Sequence, residues 1–220
     1  MTESSISLTQ SDLVAVKNDP RSEGWLADNV FHPFVNGTGL RQIYNNFAEK
    51  KLEPAYVAPA ELLSRDWAVQ SLSTAAGAIL TYTLVGEAAG AGLKTVGAKL
   101  GVQGKAAAFL ASGSTAQIAG AGFYDYLKAP DPGETRLGNA LGSAFAFGVF
   151  AAGNNYLASS RKIADSSLYT GLGRAAVGMA GGLSSLEVCH AVSSLLAEKR
   201  RIGFDESVNA LANGALINVA

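Results

Sequence analysis

Cys189 and His190 are the one place in the chain where a thiol and an imidazole are neighbours, and Glu187 stands three residues before His190. A cysteine nucleophile needs its base within hydrogen-bond reach. Adjacent residues of a helix point about 100° apart, so His190 is poorly placed to serve Cys189, whereas Glu187 and His190 share a face. The pattern predicts a surface pairing of Glu187 with His190 rather than a catalytic dyad. His32, beside Pro33 and among Trp25, Phe31 and Phe34, reads as part of an aromatic packing segment. Two histidines and one cysteine so far apart give no metal-ligand spacing, and a single cysteine excludes an intramolecular disulfide.

Two glycine-bearing stretches have the outline of phosphate loops, Gly101-Val102-Gln103-Gly104-Lys105 and Gly171-Leu172-Gly173-Arg174. Neither follows a predicted strand, and Ala106 stands where a phosphate loop needs Ser or Thr after its lysine. No cofactor is expected. Glu87 and Glu187 each lie just past an apolar stretch; an ionisable group inside lipid is functional by default, but the simpler reading is the polar face of an amphipathic helix. With no acid, base and nucleophile brought together by spacing, a small enzyme is the weakest of the function classes and a non-enzymatic role is expected.

The 17 basic and 18 acidic residues leave a net charge of −1, so the chain has no field to draw in nucleic acid and no such partner is expected. Charged residues make up 16% of the 220, below the roughly 25% of an ordinary soluble domain, and there are 25 glycines. A surface this poor in charge leaves something apolar to be covered, by a dense core, by a partner or by lipid. The opening, Met1 to Ser7, has neither the basic start nor the apolar run of a secretory signal, which points to cytoplasmic synthesis.

The elements that must position these residues fall into two parts. Residues 1–60 form a polar, turn-rich head with Asp19-Pro20, His32-Pro33, Glu53-Pro54 and Ala58-Pro59. Thr9 or Ser11 is placed to cap a short helix ending by Asp19-Pro20. Leu40, Ile43, Tyr44 and Phe47 then fall at i, i+3, i+4 and i+7, one helical stripe. Residues 61–220 shift to alanine, glycine, serine and leucine. Pro59 and Glu61 suit the first turn of a helix running well beyond Trp67. Trp67 to Gly86, Ala106 to Tyr124 and Leu137 to Ser160 carry no charge, and each is near the roughly 20 residues that span a bilayer. Asp125 to Glu134, with Pro130, Pro132 and Gly133, reads as the turn of a helical hairpin. Further helices are expected from about Ser167 to Arg200 and from Asp205, acting as cap, to the end. Strands have no support, because no alternation of period two persists. The fold expected is all-α, a bundle of Ala/Gly-rich helical hairpins behind a short helical and loop head.

Small residues recur four apart at Gly86 and Gly90, Gly97 and Gly101, Gly138 with Gly142 and Ala146, and Gly178 and Gly182. Side chains at i and i+4 share a face, so each set makes a groove that another helix can approach closely, as small-xxx-small patterns do in membranes. A chain this rich in glycine also produces such spacings unaided. A weaker pattern, Leu137-Gly138-Asn139-Ala140-Leu141, Leu172-Gly173-Arg174-Ala175-Ala176 and Ser207-Val208-Asn209-Ala210-Leu211, recurs at intervals of 35 residues, one helix plus one connection.

Hydropathy is marginal. At −0.3 to −0.6 kcal/mol for each central Leu, Ile, Phe or Val, the seven such residues from Leu137 to Leu157 supply roughly −2 to −4 kcal/mol, opposed by Asn139, Asn154 and Asn155. Lys94, Lys99 and Lys105 precede the second uncharged window and Arg161 and Lys162 follow the third, so a hairpin of the two places both basic groups on one side. The leading expectation is a membrane-associated, non-enzymatic protein whose partners are membrane lipid, another copy of itself or a second protein. The alternative is a soluble helical bundle, cytoplasmic, acting as a scaffold or interaction module.

Overall fold

The computed structural model describes residues 21–130, 133–160, 167–196 and 202–219, and these contain eight α-helices and no strand. The chain is all-α. A π-helical turn, Ala27–Phe31, runs directly into α1 (His32–Gly37); α2 is Leu40–Phe47, α3 Arg65–Lys99, α4 Gly104–Leu110, α5 Gly113–Leu127, α6 Arg136–Ser159, α7 Ser167–Leu196 and α8 Phe204–Val219.

Four of the helix starts follow hydroxyl or carboxylate caps rather than composition. Ser64, Ser112 and Thr135 each accept the backbone N–H three residues on, at 3.2, 3.2 and 3.0 Å, and so open α3, α5 and α6. Glu206 accepts from the Gly203 N–H at 2.9 Å, which ties off the start of α8 and places Asp205 in the first turn rather than at the cap. The helix expected from Pro59 begins only at Arg65. Residues 51–60 are instead a non-helical strap held by side-chain amides: Asn45 on Leu52, Asn36 on Ala55 and Gln70 on Ala58. The uncharged window Ala106 to Tyr124 is likewise broken in two, because the Ser112 cap starts a new helix after α4 has ended at Leu110. The helix expected to follow Thr9 and the basic pair Arg161-Lys162 lie outside the described residues.

Five helices make a ring in which each packs on the next, α3 on α5, α5 on α6, α6 on α7, α7 on α8 and α8 back on α3. Contacts fix the directions. Gly138 faces Cys189 while Gly153 faces Val177, so α6 and α7 are antiparallel; Gly178 meets Gly214 while Gly182 meets Ala210, so α7 and α8 are too. An odd ring of alternating helices must contain one parallel pair, and this is α3 with α8, joined by Trp67 Nε1 donating to Asn209 at 3.0 Å. The three copies of the 35-residue pattern fall in α6, α7 and α8.

The π-helical turn and α1 lie across α3. Gly37 rests on the Thr74 backbone and Gly77 on the Phe34 carbonyl, approaches that leave no room for a Cβ on either glycine. Gly39, at φ +64, takes the left-handed conformation that starts α2 against Tyr124 and Lys128. His32 is held by the Tyr56 carbonyl at 2.6 Å and lies near Asp28 and Glu23, within the packing of the head.

Candidate functional site

The small-residue positions divide by what stands opposite them. Gly138 faces the Cys189 carbonyl and the Ser193 hydroxyl, Gly142 faces the Ser185 carbonyl, and the buried Ala146 continues that stripe. Gly178 and Gly182 press on the backbone of Gly214 and Ala210. Gly90 lies 3.0 Å from the Ala116 Cβ and Gly97 3.4 Å from Leu110, measured from where a Cβ would stand, whereas Gly86 has 3.6 Å to Gln117. Gly101 is not on this face. It sits beyond the end of α3 at φ +66 with nothing within 4 Å, because the helix terminates before it.

The ring encloses a polar centre. Asp125 is 3% exposed and receives the Tyr82 hydroxyl of α3 at 2.8 Å, the Ser143 hydroxyl of α6 and the ammonium of Lys128, the residue just past the end of α5. Tyr82 also anchors an aromatic partition: its ring centroid is 5.0 Å from Phe147, which is 5.3 Å from Phe150, and Tyr124 meets Tyr82 edge-on at 5.3 Å. Tyr82, Phe147, Phe150 and Ile217 form a wall shared by two half-open cavities. The larger, about 420 Å³, continues past Asp125 toward Lys128 and Glu134. The smaller, about 370 Å³, is faced by Thr83, Ser114, Gln117, Asn154 and Asn218. Asn154 and Asn218 exchange amide hydrogen bonds at 2.8 and 3.2 Å, and Asn218 also donates to the Arg174 carbonyl at 2.7 Å.

Sequence reasoning missed this centre. Asp125 reads as a turn residue because Pro130, Pro132 and Gly133 follow it, yet α5 continues to Leu127 and carries Asp125 inward. The available signal was Tyr82, Ser143, Asn154 and Asn218, polar groups inside otherwise apolar helices. Of the residues it did single out, Ala146, Gly182 and Cys189 line the larger cavity, and the others lie elsewhere. Cys189 is buried with its Sγ on the Asn139 amide oxygen at 2.8 Å, which makes it a packing thiol. Glu187 is exposed, and the expected pairing with His190 is not formed: neither has an ion-pair partner among the described residues. Glu87 is exposed on α3. No group of His, Cys, Asp and Glu suited to a metal occurs among the described residues.

Two helical segments, Arg65–Lys99 and Tyr169–Leu196, are long and apolar enough to cross a membrane. The uncharged stretch Leu137 to Ser160, which forms α6, does not join them, in keeping with its asparagines. Comparison with known proteins finds no matching family model, no matching curated protein and no matching solved structure.

Proposed function

We propose that the chain is a non-enzymatic, membrane-embedded helical bundle, packed on itself through small residues and facing lipid with its large apolar ones. The register of α6 carries this reading. Leu137, Leu141 and Phe145 are exposed, while Gly138, Gly142 and Ala146, each one residue later, are buried. A helix in water turns its apolar stripe to the core, so this arrangement suits a medium as apolar as the side chains it meets.

Three further observations support it. Within the most apolar window of each of the two long segments only 17% is buried inside the protein, whereas the core helix of a soluble bundle would bury most of it. Helix α2 turns Leu40, Tyr44 and Phe47 outward, with Phe47 76% exposed, and spends its polar face on the protein through Asn46 to the Leu127 carbonyl and Arg136 to Asn46. That is how an amphipathic helix lies in the interface of a bilayer. On α7, Arg174 and Glu187 stand about 20 Å apart at 1.5 Å per residue, near enough to the two interfaces for long side chains to reach them.

Fractionation of expressed protein tests this. We expect it in the membrane pellet, retained through an alkaline carbonate wash and released by detergent. Recovery in the soluble fraction with a cooperative thermal transition would overturn lipid embedding and favour the soluble interaction module.

A further inference from the structure

We propose that the end of the bundle opposite the head binds the headgroups of anionic phospholipid. The inference rests on the membrane reading for the presence of a bilayer, and it assigns one end of the molecule and one lipid chemistry that embedding alone does not.

The ring gathers at that end segments that are far apart in the chain. Helices α3, α6 and α8 finish there and α5 and α7 begin there, so that Thr83, Ser114, Asn154 and Asn218 line one cavity together. Charge separates this end from the other. Residues 87–113, the last part of α3 with α4, hold Lys94, Lys99 and Lys105 against the single acid Glu87. Residues 159–174, the connection from α6 with the start of α7, hold Arg161, Lys162 and Arg174 against Asp165. The other 11 basic residues of the chain are outnumbered by 16 acidic ones in residues 1–66, 125–136 and 187–206, which lead into α3 and join α5 to α6 and α7 to α8. These counts are of sequence and include the connections that lie outside the described residues.

Position and partners select a lipid surface. Lys94 follows Arg65 by 29 residues on α3, about 43 Å at 1.5 Å per residue, which is the thickness of a bilayer with both headgroup regions. Lys94, Lys99, Lys105 and Arg174 are exposed, and none has an ion-pair partner among the described residues. Between the lysines, Val96, Leu100 and Phe109 are 52%, 73% and 66% exposed. Unpaired cations interleaved with exposed apolar side chains, with no acidic residue from Ala88 to Tyr124, match a layer that carries anionic phosphates over acyl chains. The apolar stem of lysine lets its ammonium reach those phosphates while the stem stays among the chains.

The test is native mass spectrometry of the full-length protein in neutral detergent micelles, titrated with phosphatidylglycerol and, separately, with phosphatidylcholine of the same acyl chains. At about fivefold per lysine near an anionic surface, phosphatidylglycerol is expected to bind at least roughly tenfold more tightly. Raising ammonium acetate to about 0.5 M, where charges are screened within a few ångströms, should remove most of that preference. Lys94→Gln combined with Lys99→Gln is expected to lower the preference about fivefold or more, whereas Lys50→Gln combined with Lys51→Gln, the same charge change at the head end, should leave it unchanged. All four lysines are exposed, so both variants should melt with the parent, and the salt dependence of the parent needs no variant. The proposal is overturned by equal binding of the two lipids, by a preference that survives high salt, by an undiminished preference in the folded Lys94→Gln and Lys99→Gln variant, or by an equal loss in the Lys50→Gln and Lys51→Gln variant. The measurement is made in micelles whatever fractionation shows, so failure of lipid embedding and failure of headgroup selection are read separately.

Discussion

The contact between α7 and α8 and the C-terminal half of α3 are built from the same residue with nearly the same spacing, yet glycine does different work in each. At Gly178 and Gly182 the partner helix presents bare backbone at Gly214 and Ala210, so any side chain would have to displace a main chain. On α3 the glycines differ among themselves: Gly86 lies against the Gly120 backbone and Gly90 against Ala116, but at Gly92 nothing lies within 4 Å. Spacing places residues on one face; only the position of the neighbour decides whether that face needs to be empty. Between α7 and α8, and at Gly86 and Gly90 against α5, glycine sets the distance between helices, whereas at Gly92 it mainly adds backbone entropy to the unfolded chain.

Substitution separates the two regions, and the largest effect belongs to the first. Gly182→Leu should destabilise by about 3 kcal/mol or more, the upper range of overpacking, because the Ala210 carbonyl cannot move without moving α8; an unchanged melting temperature would show that α7 and α8 do not pack as described. Gly142→Leu should follow at about 2 to 3 kcal/mol, since it fills the approach to the Ser185 carbonyl and Cys189, and unfolding in denaturant reads it directly. Tyr82→Phe, which deletes the 2.8 Å bond to Asp125, should lower stability by about 1.5 kcal/mol; a variant as stable as the parent would mean that Asp125 is sufficiently held by Ser143 and Lys128. At the other end of the scale, Gly92→Ala should raise stability by about 0.5 to 1 kcal/mol, because the position is helical and open. A loss there would erase the contrast.

The inside and outside of the ring repeat the lesson with polarity in place of size. Stripes one residue apart on α6 have opposite exposure, and the periodicity of the sequence contains both without ranking them. Leu40, Ile43, Tyr44 and Phe47 form one stripe on paper. In the structure Leu40, Tyr44 and Phe47 are exposed, because Asn45, Asn46 and Arg41 find partners on the strap, on α5 and on α6.

Local chemistry was legible wherever its cause is local. The scarcity of β-branched alternation and the turn signals at Pro130 and Gly133 were enough to point to an all-α chain with a helix on either side of that turn. Helix starts shifted where a serine cap outcompeted a proline, at Ser64, and where a second cap divided one apolar run, at Ser112. What needed the tertiary structure was everything that depends on two segments distant in the chain. Asp125 becomes the hub of the interior only when Tyr82 arrives from α3 and Ser143 from α6, and Gly178 becomes indispensable only when Gly214 lies across it. A residue's type limits which contacts it can make, but burial, the partner and the distance are set by packing, and packing is a property of helices that meet from far apart in sequence.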